Sequence, residues 1–300
     1  MKKVIAVLGP TAVGKTKISI MLAKHYNLDI ISGDSVAVYK GLDIGSAKPT
    51  PLEMDGVKHY LIDVREPNEE YSTADFQRDA REIIDRNELS MIAGGTGLYI
   101  KSAIFNYEFK ASERDFDFGK QYENLSNLEL FDLLLKKDPN IDKEKLHPNN
   151  RKRVLRALEV LEETGSSIHS FNKKDEPIYD YFICYLNLDR DVLYDRIEKR
   201  VDQMMEDGLE KEVRDLYDRG IMPHAIGYSE FIPYFKGECS LEDTVNEIKK
   251  NTRHLAKRQE TWFRNQMESH FYKVNLNNVN ETLNEIIKDI DEWRLKWDFI

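Results

Sequence analysis

The chain has 300 residues, of which 41% are hydrophobic and 33% are charged. This length and composition exclude a small stapled scaffold and a disordered or fibrous chain, and they predict one large domain or a core with an insertion. The 54 acidic residues outnumber the 44 basic ones, which excludes a uniformly basic coat for nucleic acid but leaves room for local basic patches. Cys184 and Cys239 are the only cysteines and lack metal-ligand spacing, so the sequence favours a reducing cytoplasm.

The first predicted element is a short strand, Val4–Leu8, whose apolar residues run without interruption to Gly9-Pro10. This run is too short for the apolar part of a signal peptide. No other stretch approaches the ~18 apolar residues of a membrane span, so we expect no membrane contact. Similar apolar, β-rich runs recur between segments of helical periodicity. They are Leu28–Ser32, His59–Val64, Leu89–Ala93, Tyr181–Leu188 and Phe271–Leu276.

This alternation predicts an α/β fold with a doubly wound parallel sheet. In such a sheet the ligand binds beyond the carboxyl ends of the strands. The candidate site residues are therefore those that directly follow the first, second and fourth predicted strands: Gly9–Thr16, Asp34-Ser35 and Gly94–Tyr99.

The strand pattern lapses between residues 111 and 178, where polar sequence surrounds helical pieces such as Leu128–Lys136 and Arg151–Glu163. We interpret 111–178 as a mainly helical insertion, and 1–110 with 179–300 as the core. Amphipathic periodicity predicts further helices after the insertion. They are a charged pair within 189–220, a long helix at Leu241–Met267 and a terminal helix at Leu283–Trp293.

Residues 9–16 read GPTAVGKT and match G-x-x-x-x-G-K-[ST] between a predicted strand and a predicted helix. The glycines let successive backbone amides turn toward an anion, and the helix N-terminus adds positive potential. A lysine at this position neutralises phosphate oxygens, and the following threonine can reach Mg²⁺. The motif predicts phosphate or diphosphate binding by Gly9, Pro10, Thr11, Ala12, Val13, Gly14, Lys15 and Thr16.

An acid, Asp34, follows the second predicted strand and should share a rim with this phosphate loop. It can accept a proton from an attacking amine or hydroxyl, or it can cap free backbone amides, and the spacing favours neither role. The turn Gly94–Gly97 permits close backbone approach to a ligand, and Thr96 offers a hydroxyl. A nucleotide hydrolase should also carry a strand-end acid for Mg²⁺. Asp63 is a weak candidate and is better explained as a turn acid.

Positive charge concentrates between Lys249 and Arg264, where six basic residues face one acid, Glu260. This surplus suits a stripe that binds nucleic-acid phosphates. Charged helix faces are more often simply solvated, so the composition leaves both interpretations open. A second basic face is predicted at Arg151–Arg153 and Arg156.

Eight ordered motifs together resemble the tRNA dimethylallyltransferase family, also called tRNA isopentenylpyrophosphate transferases. Ala37 stands where many members carry Gln, and Ser46 where Thr is usual. The motifs span most of the chain and are GPTAVGKT (9–16), DSVAVYKGLDIGSAKP (34–49), HYLIDV (59–64), GGTGLY (94–99), HPNNRKRVLRALEV (147–160), RIEKRVDQMMEDGLEKEV (196–213), IGY (226–228) and TRHLAKRQETWFR (252–264).

The resemblance implies a P-loop NTPase-like core, dimethylallyl diphosphate as donor, and the exocyclic amine of the adenosine 3′ of a tRNA anticodon as acceptor. Asp34 would be the general base, and Lys15, Thr16, Thr96 and one of Arg196 and Arg200 would stabilise the departing diphosphate. Mg²⁺ would be the cofactor, with Thr16 as its ligand. Implied contacts to tRNA are Asp34, Ser35, Val36, Ala37, Lys152, Arg153, Arg156, Gly227, Tyr228, Arg253, Lys257 and Arg258.

Three alternatives compete with this prediction. A small-molecule P-loop kinase would hold ATP on the loop and need no RNA. An adenylate prenyltransferase would share the loop and the acid, but would need neither the insertion nor the basic stripe. A non-catalytic RNA-binding module would leave the phosphate loop unexplained. We expect a cytoplasmic, monomeric enzyme.

Overall fold

The structure is a computed structural model that describes residues 1–109, 117–144, 146–168 and 176–296. The chain divides into two units, the first made of Met1–Phe105 and Pro177–Ile300 and the second of Asn106–Glu176. The sequence places the insertion at 111–178. In the structure the second unit begins at Asn106 and ends at Glu176. Just outside these ends, the amide of Ile178 donates to the carbonyl of Ile104 over 3.0 Å, so the chain leaves and re-enters the first unit at neighbouring residues.

One parallel sheet organises the first unit, as the sequence predicts. It contains β1 Lys3–Leu8, β2 Ile30–Gly33, β3 His59–Tyr60, β4 Leu89–Gly94, β5 Asp180–Asn187 and β6 His270–Lys273. The six strands lie in the order β3-β2-β4-β1-β5-β6, and all neighbours are parallel. The predicted strand His59–Val64 is too long, because Leu61 (φ 62°) and Asp63 (φ 56°) adopt left-handed conformations that end it.

Helices connect the strands and continue after them. In chain order they are α1 Lys15–Tyr26, α2 Pro51–Met54, α3 Thr73–Asp85, α4 Gly97–Ile104, α5 Asn127–Lys137, α6 Arg151–Thr164, α7 Arg190–Glu206, α8 Leu209–Asp218, α9 Phe231–Phe235, α10 Leu241–Gln266 and α11 Val279–Leu295. A short 3-10 helix, Phe118–Tyr122, precedes α5. None of the helices in the described ranges combines the length and apolarity needed to span a bilayer.

Strand β1 is apolar from Val4 to Leu8 because helices cover both faces of the sheet. Ile5 and Val7 point into one core, with side chains from α1 and α11. Val4, Ala6 and Leu8 point into the other, with side chains from α3, α4 and α10. All five are fully buried. Burial on both faces explains the unbroken apolar run that the sequence shows here.

The second unit has a small helical core of its own. Leu130 and Leu134 of α5 and Val154 and Leu158 of α6 are fully buried in one cluster. The guanidinium of Arg151 donates to the carbonyls of Tyr122 (2.5 Å) and Leu125 (2.7 Å), so Arg151 stabilises this unit.

The register of the sheet aligns three strand ends in one row. Leu8 of β1 and Gly33 of β2 both pair with Gly94 of β4. The residue that follows β1 is Gly9, the one that follows β2 is Asp34 and the one that follows β4 is Gly95. The phosphate loop, the acid and the glycine turn therefore start side by side at the carboxyl edge of the sheet.

Candidate active site

The phosphate loop leads from β1 into α1 and leaves the N-terminus of that helix open. Gly14 occupies the cap position with φ 103°, and within the described chain no side chain caps the helix and no acid lies in its first turn. The Nζ atom of Lys15 donates to the carbonyl of Pro10 over 2.7 Å, which folds the lysine back across the loop. An uncapped helix N-terminus suits an anion, so binding of a diphosphate at this loop stays a prediction.

Two arginines of α7 border this loop, and the structure gives them different partners. Arg196 donates from Nε to the carbonyl of Ala12 over 2.8 Å, so it holds the shape of the loop. The guanidinium of Arg200 has no hydrogen-bond partner among the residues the structure describes, which leaves it available to a ligand. The sequence could not distinguish these two roles.

Lys15 and Arg200 both lie close enough to Asp34 for its negative charge to raise their pKa values. Burial and then the Arg200 guanidinium lower the pKa of Lys15 to about 7, against the opposing effect of Asp34. Burial also lowers the pKa of Arg200, while Asp34 and Glu53 raise it. Two half-buried cations that repel each other favour an anion between them.

The structure shows Asp34 in the capping role and leaves its role as a proton acceptor a prediction. Its Oδ1 atom accepts hydrogen bonds from the amides of Val36 (2.8 Å) and Ala37 (3.2 Å), which is a local cap. Its second oxygen, Oδ2, accepts no hydrogen bond in the part of the chain that the structure describes. The side chain is half-buried. One oxygen thus fixes the carboxylate while the other can receive a proton.

Thr96 is bound to the residue next to Asp34. Its hydroxyl accepts from the amide of Ser35 over 3.2 Å and donates to the Ser35 hydroxyl over 3.3 Å. The structure therefore gives Thr96 a role in orienting the Asp34 turn. A contact from Thr96 to a diphosphate stays a prediction.

Gln259 of α10 is a site residue that sequence reasoning missed. Its Oε1 atom accepts from the amide of Thr11 over 3.2 Å, and its Nε2 atom donates to the carbonyl of Gly95 over 3.0 Å. One side-chain amide thus joins the phosphate loop to the glycine turn. A signal existed, because Gln259 lies inside the motif TRHLAKRQETWFR and carries a donor and an acceptor on one group.

The glycine turn allows close packing within the protein, and its approach to a ligand stays a prediction. A Cβ atom at Gly95 would lie 2.5 Å from Nε2 of Gln259, and one at Gly97 would lie 2.2 Å from the ring of Trp262. These glycines are needed because α10 approaches the turn closely. Trp262 therefore packs on α4.

Comparison with known proteins decides the family. The profile of the IPP transferase family matches residues 37–266. A tRNA dimethylallyltransferase of Enterococcus faecalis is 46% identical over 310 aligned residues, which cover 98% of each chain. The chain belongs to the IPP transferase family. The resemblance identified from the sequence motifs is confirmed.

Two solved structures share the fold of this IPP transferase family member. The tRNA isopentenylpyrophosphate transferase of Bacillus halodurans is 42% identical with a TM-score of 0.71, and the match covers 98% of both chains. A eukaryotic dimethylallyltransferase, solved while acting on tRNA, is 28% identical with a TM-score of 0.76. That match covers 91% of this chain and 74% of the other. The predicted α/β fold with a P-loop-like core is confirmed.

The basic stripe of this family member, Lys249–Arg264 on α10, is largely paired with acids. Arg253 contacts Glu198 at 2.6 Å. Lys249, Lys250 and Arg264 also pair with acidic neighbours. Lys257 and Arg258 are exposed and make no ion pair with any described residue. The charge available to a polyanion therefore centres on these two residues.

The other residues predicted to contact tRNA differ in accessibility. Lys152 and Arg153 are exposed on α6, and Arg156 is ion-paired with Glu159 at 2.8 Å. Ser35 and Val36 are half-buried, whereas Ala37 is buried. Gly227 donates its amide to Glu230 over 3.0 Å. Tyr228 is fully buried, so the structure gives its side chain a packing role, and its contact with tRNA stays a prediction.

Proposed function

We propose that the protein transfers the dimethylallyl group of dimethylallyl diphosphate to the exocyclic amine of the adenosine 3′ of a tRNA anticodon. The observation that carries this proposal is the single row of strand ends that starts both the phosphate loop and Asp34. A diphosphate on the loop would place the reacting carbon near a carboxylate that can take a proton. The names of the relatives support the same reaction and do not favour a kinase or an adenylate prenyltransferase.

The transfer forms one bond and breaks one. The amine nitrogen attacks the allylic carbon, the N–C bond forms, and the C–O bond to the diphosphate breaks. The electron pair leaves on the diphosphate, where Lys15 and Arg200 stabilise the developing charge. The amine proton passes to Oδ2 of Asp34, the carboxylate oxygen that is not held by the local turn.

Thr16 is the residue that would hold Mg²⁺. It is exposed in the first turn of α1, so its hydroxyl can face an ion bound to a diphosphate. In the described residues no group of three or more His, Cys, Asp or Glu could hold a metal. A site with Thr16 as its protein ligand suits Mg²⁺, which commonly takes one or two protein ligands and completes its coordination shell with phosphate oxygens and water. When bound, the ion supplies further charge neutralisation at the leaving group.

The tRNA would be held by exposed basic residues, and the reaction would take place in the cytoplasm. Lys257 and Arg258 on α10 and Lys152 and Arg153 on α6 are exposed and suit backbone phosphates. To reach Asp34 the target adenine must leave its stack, because an amine inside a stacked helix cannot approach a strand-end carboxylate.

One experiment tests the proposed function. The protein is mixed with dimethylallyl diphosphate, Mg²⁺ and unmodified tRNA, and separately with AMP or ATP as the acceptor. We expect prenylated tRNA and no prenylated nucleotide. Prenylated AMP or ATP would favour an adenylate prenyltransferase, and turnover of ATP without RNA would favour a kinase.

The two arginines of α7 should respond differently to substitution. Arg200→Gln should slow single-turnover transfer at saturating donor by roughly 100-fold, because it removes charge from the leaving group. Arg196→Gln should mainly raise the donor concentration needed for saturation, because it loosens the loop at Ala12. Lys199→Gln, on an exposed turn of the same helix, is the control. A larger loss of saturated rate in Arg196→Gln than in Arg200→Gln would reverse the assignment.

The exposed cations of α10 should set part of the salt dependence of tRNA binding. Replacing Lys257 and Arg258 with Gln should flatten the slope of log affinity against log salt by about one unit for each cation that no longer meets a phosphate. Lys250→Gln is the matched control, since Lys250 lies on the same helix but pairs with Glu247. Equal slopes for the double variant and the control would mean that the stripe is only a solvated face.

A further inference from the structure

The segment from Asp34 to Lys48 begins with the candidate base. The backbone amides in its second half donate hydrogen bonds to one carboxylate, that of Glu212. Glu212 of α8 accepts hydrogen bonds from three successive amides: Asp43 at 3.0 Å, Ile44 at 2.8 Å and Gly45 at 3.1 Å. Three consecutive amides that converge on one anion form a nest, an arrangement that binds negative charge strongly. Here the anion is a side chain of the protein itself.

Tyr228 donates a fourth hydrogen bond to Glu212 and also contacts the backbone at Gly45. Its hydroxyl donates to Oε1 of Glu212 over 2.8 Å. Its ring lies against Gly45, where an added Cβ would be 2.6 Å from the ring carbons. Burial and the Glu212 carboxylate raise the pKa of Tyr228, so the hydroxyl remains a donor. Glu212 thus accepts four hydrogen bonds, three from backbone amides and one from a hydroxyl group.

Lys48, at the end of the segment, forms a hydrogen bond with the backbone of Tyr39 in its middle. The ammonium group of Lys48 is almost buried and donates to the carbonyl of Tyr39 over 2.9 Å. It also contacts the carboxylates of Asp43 at 2.5 Å and Asp63 at 2.6 Å. The first half of the segment is bound to residues 63–65, since the amide of Val64 donates to the carbonyl of Val38 over 2.9 Å and the amide of Lys40 donates to the carbonyl of Arg65 over 2.9 Å. Glu212 attaches the second half to α8.

Glu212 also connects the segment to the diphosphate side of the site. Helix α8 follows α7 after a break at Asp207-Gly208, and α7 carries Arg196 and Arg200. A shared core joins both helices to the segment, since Val201 of α7 and Val213 of α8 are buried in one cluster with Leu42. A shift of the segment away from α8 would move Asp34 relative to the arginines.

We propose that Glu212 is a positioning residue that holds the Asp34 segment at a fixed distance from the cations of α7. It contacts neither substrate and acts through the backbone of residues 43–45. This inference rests on the proposed function for its kinetic consequence. Its structural consequence, protection of three amides by one carboxylate, does not depend on any substrate.

Glu212→Gln tests the proposal because the amide keeps the size of the side chain but turns one acceptor into a donor. Hydrogen exchange of the amides of residues 43–45, measured without substrates, should become faster. The kcat for tRNA prenylation should fall roughly 10- to 100-fold, the cost expected when a catalytic group is displaced by about 1 Å. The KM for dimethylallyl diphosphate should stay within about twofold, because the phosphate loop is untouched.

Glu210→Gln is the matched control. Glu210 lies on the same helix and accepts from Arg214 at 3.1 Å and Tyr234 at 3.2 Å, but it does not contact the segment. It should leave exchange at residues 43–45 and kcat near the wild-type values. Equal effects of the two variants would overturn the proposal, as would a loss of kcat in Glu212→Gln without faster exchange at these amides.

Tyr228→Phe keeps the test decisive if Glu212→Gln does not fold. This variant retains the ring against Gly45 and removes one hydrogen bond from Glu212. It should speed exchange at residues 43–45 and lower kcat several-fold, and unchanged exchange would overturn the proposal. If the wild type makes no prenylated tRNA, the proposed function fails. The exchange result alone then decides whether Glu212 fixes the segment.

Discussion

Lys15→Met should weaken binding of dimethylallyl diphosphate by roughly 100-fold or more, because it removes a half-buried cation from a loop built for an anion. The affinity of tRNA should change little, since the cations proposed to meet its phosphates are the exposed Lys152, Arg153, Lys257 and Arg258, which this substitution leaves in place. Equilibrium binding of the donor in the absence of tRNA measures the first effect directly.

The binding of the donor to the wild type should also depend on pH through Lys15. Its pKa is about 7 in the free protein, and a bound diphosphate would raise that value. Above pH 7 Lys15 of the free protein is mostly neutral, so it must take up a proton when the diphosphate binds. The affinity for the donor therefore falls as the pH rises. Lys15→Arg stays charged throughout this range and should abolish the decline.

Lys17→Met is the control for both experiments, because Lys17 lies two positions further along α1 and is exposed. Its donor affinity and pH dependence should match those of the wild type. Unchanged donor binding in Lys15→Met would show that the loop does not hold the diphosphate through this residue. A decline above pH 7 that persists in Lys15→Arg would assign the titration to another group.

The sheet could be predicted from sequence because its signal is local. Buried parallel strands such as β1 are apolar on both faces, and this leaves an unbroken run of apolar residues. Helix α3 carries a similar local signal: Phe76, Ala80 and Ile84 are buried at a spacing of four, and Ser72 forms a capping box with Asp75. The predicted end of β3 is wrong, because the left-handed backbone at Leu61 and Asp63 leaves no mark in the apolar pattern.

The candidate site was only partly predictable. The phosphate loop and Asp34 could be placed on one rim, since parallel strands end at the same edge of a sheet. The contact between Arg196 and the loop and the bridge made by Gln259 join residues separated by 184 and 248 positions. No local spacing encodes such contacts. The ion pairs of α7 with α10, such as Glu198 with Arg253, likewise depend on how the two helices pack.

Asp34→Asn should slow the chemical step by roughly 100-fold or more while both substrates still bind. The exocyclic amine of adenine is a poor nucleophile, because its lone pair is delocalised into the ring. Attack on the allylic carbon therefore benefits from a carboxylate that takes the proton as the N–C bond forms. Asp34 has one oxygen available for this proton, and it follows the same row of strand ends as the phosphate loop.

Asp34→Asn removes the proton acceptor but should leave the local structure unchanged. The asparagine oxygen can still accept from the amides of Val36 and Ala37, so the turn after β2 should persist. Asp29→Asn is the matched control, because Asp29 is exposed at the opposite end of the same strand. Single-turnover prenylation, with saturating donor and tRNA, isolates the step. If Asp34→Asn reacts as fast as Asp29→Asn, the carboxylate serves only as the cap of its turn, and the base must be sought elsewhere.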